Sequence, residues 1–502
     1  MISRRGFAAG SAVLASGVAS HRARAAGAAT IGIQALPPGL GNPLSSNGFP
    51  PLHVFPAVFD ALIEVTADGT YAPALALAWE AEDETAWRID LRPDVQFSNG
   101  ELCDARAVAA TFDILNTPEG RTQAVYRDAR TVGRAEVIDD LTVRLHTSTP
   151  DAALPGKLCG IRILPPEHFA ARGFAAFARE PVGTGPFRAT RWDQRRIDLV
   201  PNPNAWRPPQ VDSLSLIPIP EEVARLQALL SGGVDVALSI NPEDGPLVES
   251  AGGRTITTSR AAVLALQYIL ERPSPLQDAR VRQALSLAVN RNAIVQVILA
   301  GTTEPATQLT VKEAFGYAPG LPPFAYNPER AKELMSDAGY ASGFRLPMSM
   351  FSGSSPNDTA VYQQVAVDLA RIGVELVITT IPLAQFTRLL YDGDWGDALA
   401  FSFHYGSMPS LDSTIGLRFN SCLWPEPWIC DPAVADQILE SDRIFDPAAR
   451  RALLQDIQRK LHADLPCLPL HETRFQNGLG PRVAQFSAPF GLIDYAALRM
   501  VA

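Results

Sequence analysis

The chain has 502 residues, 47% of them hydrophobic and 19% charged, a balance that excludes an intrinsically disordered protein. Its formal net charge of −10, more negative still without four N-terminal arginines, argues against binding to nucleic acid or anionic membrane, which needs clustered basic residues. This length exceeds what one hydrophobic core supports, so two or three domains are expected.

The first element in chain order is a leader. Ser3-Arg4-Arg5-Gly6-Phe7 is a twin-arginine signal, followed by an apolar run over 7–18 that Gly10, Ser11, Ser16 and Gly17 soften. His21, Arg22 and Arg24 come next, and Ala23-Arg24-Ala25 offers a small-x-small cleavage site. The run is about half the roughly 20 residues that a membrane span needs. Residues 1–25 are therefore expected to be a twin-arginine signal peptide, and the mature protein to be periplasmic without inserting into the membrane. No cysteine precedes Cys103, so no lipid-anchored N-terminal cysteine is expected.

Residues 29–36 alternate weakly and predict a first strand, with a Pro/Gly/Asn loop to Pro51 after it. Residues 87–92 alternate apolar with polar as a half-buried strand does, and Ser98-Asn99-Gly100 turns the chain. Asp104 is placed to cap a helix over 105–115 that ends before Thr117-Pro118. Residues 137–145 read as an alternating strand with Asp139-Asp140 at its turn. A glycine-rich stretch over 182–186 and a strand over 197–201 follow. Residues 221–230 predict a helix closed by Gly232-Gly233, with a strand over 234–240. The spacing over 281–299 predicts one long amphipathic helix closed by Gly301. Further helices are expected over 328–338, 361–372 and 446–463, with an apolar β-branched strand over 374–381. Strands and helices in long, non-repeating alternation predict an α/β protein of several lobes.

The five cysteines are Cys103, Cys159, Cys422, Cys430 and Cys467, an odd count that leaves at least one thiol over. Cys422 and Cys430 flank Pro425 and Pro427, which fold the chain back, so a disulfide is expected between them. No pair has CxxC spacing, and neither a metal nor another cofactor is expected. GxSxG, HExxH, P-loop and GxGxxG motifs do not occur, and the seven histidines are scattered. A lone His404 without a partner at metal-ligand spacing is a pocket candidate before it is a ligand.

Several segments in order resemble one family, the extracytoplasmic solute-binding proteins of peptide and nickel ABC importers. Pro73-Ala74-Leu75-Ala76 to Trp79-Glu80, then Trp87–Arg92 and Val95-Gln96-Phe97-Ser98-Asn99-Gly100, are similar to its early-lobe signature. Val182-Gly183-Thr184-Gly185-Pro186-Phe187 is similar to its "VGTGP[FY]" block, and Asn202-Pro203 with Trp206 to the "NP-x-YW" after it. The stretches at 226–236, 278–290 and 326–331 resemble "L-x-SG-x-VD", "D-x-RVRQAL-x-x-AID" and "YNPE-A". The likeness runs over roughly 70–470. It implies an α/β, periplasmic-binding-protein-like fold of two lobes joined by a hinge plus an additional lobe. Lobe I would comprise 26–50, 183–260 and 470–502, the extra lobe II 51–182, and lobe III 261–469. Gly183-Thr184-Gly185-Pro186 would mark a crossing between lobes, its glycines admitting positive φ; no lysine or Ser/Thr-led helix follows as a phosphate-cradling loop requires.

The resemblance further implies a monomeric receptor that captures a small solute by lobe closure and delivers it to ABC permease subunits, without catalysis. The alternative from another class is a periplasmic hydrolase of a small amide or ester on the same scaffold. Peptide-binding members carry a "W-x-x-D-Y-x-x-P"-like loop whose aspartate meets the peptide ammonium group. The equivalent stretch here, 401–409, has no acid until Asp412, and Ile269-Leu270 stands where the family has "F-N". Peptide, modified amino acid, sugar and metal chelate therefore stay open as ligands. Aromatic faces bind apolar groups, sugars and cations alike. The ligand-binding candidates are Trp395, Ser402, His404, Tyr405, Ser407 and Trp424, with Phe401 and Phe403 read as one side of a buried strand.

Overall fold

The computed structural model describes residues 27–351, 353, 355–419 and 421–501. The leader expected over 1–25 lies outside the described residues. In chain order the first sixteen strands are β1 (Ala28–Ile33), β2 (Ile63–Val65), β3 (Tyr71–Pro73), β4 (Ala76–Asp83), β5 (Ala86–Leu91), β6 (Val132–Asp139), β7 (Thr142–Thr147), β8 (Phe187–Asp193), β9 (Arg196–Pro201), β10 (Ser213–Pro218), β11 (Val236–Ile240), β12 (Arg254–Tyr268), β13 (Phe344–Met350), β14 (Val374–Thr380), β15 (Ala400–Gly406) and β16 (Cys467–Leu479). Ten of them form one mixed sheet in the order β14-β13-β15-β12-β16-β11-β1-β10-β9-β8. β1 lies between parallel β10 and β11 and is buried at five of its six positions, as a strand covered on both faces must be.

The two halves of this sheet are joined only through β12 and β16. These strands, the longest of the sheet, pair antiparallel from Arg254↔Leu479 to Gln267↔Cys467. One end of β16 (Gln476 to Leu479) pairs with β11, while the opposite end of β12 (Ala262 to Tyr268) pairs with β15. The register shifts between Ser259 and Ala262, where one set of neighbours gives way to the other, and Ala261 there has a φ of 52°. An extra residue at such a point bends the strand and raises its twist.

A separate four-stranded sheet, β4-β5-β7-β6, is covered by the helix Ala105–Asn116. Trp87, Ile89 and Leu91 alternate inward on β5, as do Val143 and Leu145 on β7, and they meet Phe112 of the helix in a shared core. The Asp104 carboxylate accepts from Arg106 N and Ala107 N and starts that helix as expected. A second core beside the far half of the large sheet holds the helices Ala279–Ala288, Pro328–Asp337 and Asp358–Ala370. Among the described residues no helix is long and apolar enough to cross a membrane.

Three expectations are corrected. The single strand over 137–145 is instead the hairpin β6–β7, whose turn Asp139 fixes by accepting from Leu141 N at 2.9 Å. The single helix over 281–299 is broken: Val289 leaves helical geometry with ψ of 122°. Asn290 then caps a new start by accepting from Ala293 N, while its own N–H is drawn to Asp368 at 3.0 Å. The glycines of Gly183-Thr184-Gly185-Pro186 are needed for closeness and not for positive φ. A Cβ at Gly183 would stand 2.0 Å from the Val58 carbonyl oxygen, and one at Gly185 2.6 Å from the Val58 carbonyl carbon.

Candidate functional site

A cavity of about 610 Å³ lies between the segments 126–157 and 391–442. Its aromatic wall is Tyr391, Phe419 and Trp424, with ring centroids 5.1 Å apart for Tyr391–Trp424 and 4.3 Å for Phe419–Trp424. The Trp424 indole N–H donates to the Leu390 carbonyl at 2.6 Å, which fixes how the ring stands. The loop that carries Trp424 is closed by a Cys422–Cys430 disulfide, and Cys430 N donates to Glu271 at 2.9 Å.

The opposite wall is basic. Lys157, on the short helix Leu154–Leu158, pairs with buried Asp151 at 2.6 Å. The Arg127 guanidinium reaches across to lie 5.9 Å from the Phe419 ring centroid. The exposed Arg130 side chain has no ion pair or hydrogen bond among the described residues, while on the aromatic side Arg418 pairs with Asp442 at 2.5 Å. The acids lining the cavity are already engaged: Asp128 by the Asn47 amide, Asp442 by Arg418, and Asp412 by Arg450 at 2.7 Å. Burial pushes the Asp412 carboxyl up, but Arg450 and hydrogen bonds from Thr414 outweigh it and hold the group below its ordinary range. Asp412 is thus a paired structural acid. Arg127 lies 3.8 Å from Asp128, so among the basic side chains here Arg130 is the one without an ion pair among the described residues. The arrangement offers an apolar shelf facing basic side chains, which suits a small solute with a carboxylate and an apolar portion.

The six sequence candidates are divided by the pleat of β15. Phe401, Phe403 and Tyr405 point to one face and join an aromatic cluster with Trp395 and Trp428. Trp395 stacks on Phe401 at 4.0 Å, and Tyr405 donates to Gln267 while its ring lies 5.0 Å from Phe403. Ser402 and His404 point to the other face. Ser402 is buried beside the Tyr362 phenol, which donates to the Ala265 carbonyl at 2.8 Å. Burial, with Arg260 and His471 nearby, holds His404 well below its ordinary pKa, so the imidazole is neutral. Ser407 meets Thr310 at 3.2 Å, just before Pro409 and Ser410 at the cavity rim. Trp424 is the candidate that lines the cavity itself. Tyr126, Arg127, Arg130, Lys157, Tyr391, Arg418 and Phe419 were not singled out from sequence, where they carry no spacing signal.

Several motif residues meet elsewhere, at buried Asp60. Its carboxylate accepts from Thr184 (2.9 Å), the Trp206 indole (3.0 Å) and Arg207 (2.9 Å). Trp206 lies between the Arg92 and Arg207 guanidinium groups, 4.2 and 4.4 Å from its ring centroid. Asn202 donates to the Gly185 carbonyl at 2.9 Å. These blocks knit the segments 58–64, 92–98 and 183–207 together. Among the described residues no three His, Cys, Asp or Glu side chains are grouped to hold a metal ion.

The cavity thus lies between the region of the four-stranded sheet and the far half of the ten-stranded one. Residues 70–419 match the family of bacterial extracellular solute-binding proteins, family 5 Middle, and the chain belongs to that family. It is 26% identical over 439 residues to the glutathione-binding protein GsiB of Pectobacterium atrosepticum, covering 81% of each chain. It is 28% identical over 462 residues to di/tripeptide-binding protein 2 of Pseudomonas aeruginosa, covering 84% of this chain and 85% of that one. Its fold is similar to that of NikA from Brucella suis in complex with Fe(III)-EDTA, with a TM-score of 0.82 and 23% identity over 94% of this chain and all of the other. The chain is therefore a solute-binding receptor of the kind that serves ABC importers.

Proposed function

We propose that the protein is exported by the twin-arginine route and works in the periplasm as a monomer. It captures a small peptide-like solute carrying a carboxylate between the segments 126–157 and 391–442, then presents it to permease subunits unaltered. The observation that carries this reading is the 610 Å³ cavity, with the Trp424 shelf on one side and Arg127, Arg130 and Lys157 on the other. The names of the relatives, glutathione-binding and di/tripeptide-binding, support a peptide-like ligand. Asp412 is held by Arg450, so the solute's ammonium group, where it has one, is met by another acceptor or by water.

The three lobes expected from sequence supply the mechanics. Lobe III swings against the others about β12 and β16, the two strands that join the halves of the large sheet. Two hydrogen bonds between these lobes, Gln34 to the Gly353 carbonyl at 3.2 Å and Asn357 to Glu243 at 3.0 Å, would act as latches on closure. Mass spectrometry of ligand released from native periplasmic protein, followed by calorimetry with that compound, is the test. The released compound should carry a carboxylate, and Trp424→Ala should weaken it by about tenfold or more. A cationic or chelated-metal ligand, affinity unchanged in Trp424→Ala, or product accumulating beyond one equivalent would each overturn the reading.

A further inference from the structure

Beside the Asp60 knot lies a second cavity of about 310 Å³, and no residue lines both it and the inter-lobe cavity. The segment 157–162 divides the two, with Lys157 on the inter-lobe side and Cys159 and Arg162 on this one. Arg162 is 8% exposed, yet among the described residues its guanidinium donates no hydrogen bond and joins no ion pair. Burial disfavours its charge, while Asp60 and Glu64 favour it from a distance.

Those two acids are already engaged. Asp60 serves Thr184, Trp206 and Arg207, and Glu64 accepts from Arg207 at 2.8 Å. The Arg207 Nε–H is also buried without a partner. Asp494, at the rim, accepts from Ala497 N at 3.1 Å. The cavity therefore holds a guanidinium fork without a hydrogen-bonding acceptor among the described residues, and an acceptor that reaches it gains charge-assisted hydrogen bonds. A guanidinium fork matches the two oxygens of a carboxylate bidentately. Phe59, Ile63, Ala74 and Leu492 make much of the remaining wall apolar.

We propose that this cavity is a second ligand site, distinct from the inter-lobe one, for a small carboxylic acid with a short apolar tail. The carboxylate sits on Arg162, and the tail lies against Phe59, Ile63 and Leu492. The site is independent of which solute the inter-lobe cavity takes.

The test follows the thermal midpoint of the purified exported protein against hexanoate, with ionic strength held by sodium chloride. The midpoint should rise with hexanoate concentration, less steeply with acetate, and not with hexanol, because a ligand that binds only the native state stabilises it by mass action. Arg162→Gln should weaken the response by about tenfold or more without lowering the midpoint in the absence of acid. Trp424→Ala should keep the part of the response that Arg162→Gln loses. Should Arg162→Gln fail to fold, equilibrium dialysis of radiolabelled hexanoate decides. Saturable binding on the wild type that is weakened in Arg162→Lys and kept in Trp424→Ala supports the site. No saturable binding, or a response lost in Trp424→Ala and kept in Arg162→Gln, overturns it.

Discussion

Glu472 shows how one residue carries a consequence for the whole chain. It sits on β16 opposite Val263, close to the register shift that joins the halves of the large sheet. Burial comes first among the causes that push its pKa up to about 7, with Glu313 and Glu304 adding to it against Arg474 and Lys312. The native state thus holds this proton up to about pH 7, whereas the unfolded chain releases it near the ordinary value of 4.5. Stability from this group is present below pH 4.5 and is lost as pH rises through 7. Glu472→Gln should match wild type at pH 4.5 and exceed it by roughly 2–3 kcal/mol at pH 8. The histidines held neutral, such as His471 near pKa 4, act with the opposite sign, but they cancel in the difference between the two proteins. Urea unfolding of both across that range measures it, and a pH-independent difference would refute the argument.

At the scale of an element, the loop closed by Cys422 and Cys430 matters because it carries Trp424. Closing a loop with a sequence separation of 8 removes about 2–3 kcal/mol of unfolded-chain entropy in the loop-closure model. Replacing both cysteines by alanine should lower unfolding free energy by that amount and loosen the Trp424 shelf, so ligand should also leave faster. The other three cysteines are buried and separate, and burial pushes Cys467 up to about 12, so none is a ready thiolate to exchange with this bond. Denaturant curves with and without reductant would show the change, and coincident curves would exclude a stabilising role.

For the whole molecule, closure about β12 and β16 predicts a smaller radius of gyration with ligand by small-angle scattering. On the proposed closure, the hydrogen bond from Asn357 to exposed Glu243 is a latch between lobe III and lobe I. Glu243→Ala removes it without touching the cavity wall. A net hydrogen bond contributes about 1 kcal/mol, so ligand release should speed up about fivefold in stopped-flow measurements while association changes little. An unchanged release rate would mean that the latch plays no part in retention.

Local order was legible in the residues alone. Asp104 accepts from two backbone N–H groups of the helix it starts, and Gly232 follows a helix end at positive φ. Such signals act over a few residues and need no partner from elsewhere in the chain. The ordered blocks shared with the solute-binding family identified the fold as a whole. Of the lining of the candidate cavity, Trp424 alone had been singled out from sequence, because the cavity's position depends on which strands become neighbours. β15 alternates by its own pleat, but nothing in its sequence says that Ser402 and His404 face one side of the sheet and Tyr405 the aromatic core. The break at Val289 likewise depends on Asp368, 78 positions from Asn290. The basic wall at 126–157 faces the aromatic shelf across more than two hundred residues of chain, and the lone guanidinium of Arg162 becomes visible only once the acids around it are seen to be taken. Those facts belong to the tertiary structure, because long-range pairing and burial are set by packing the whole chain at once.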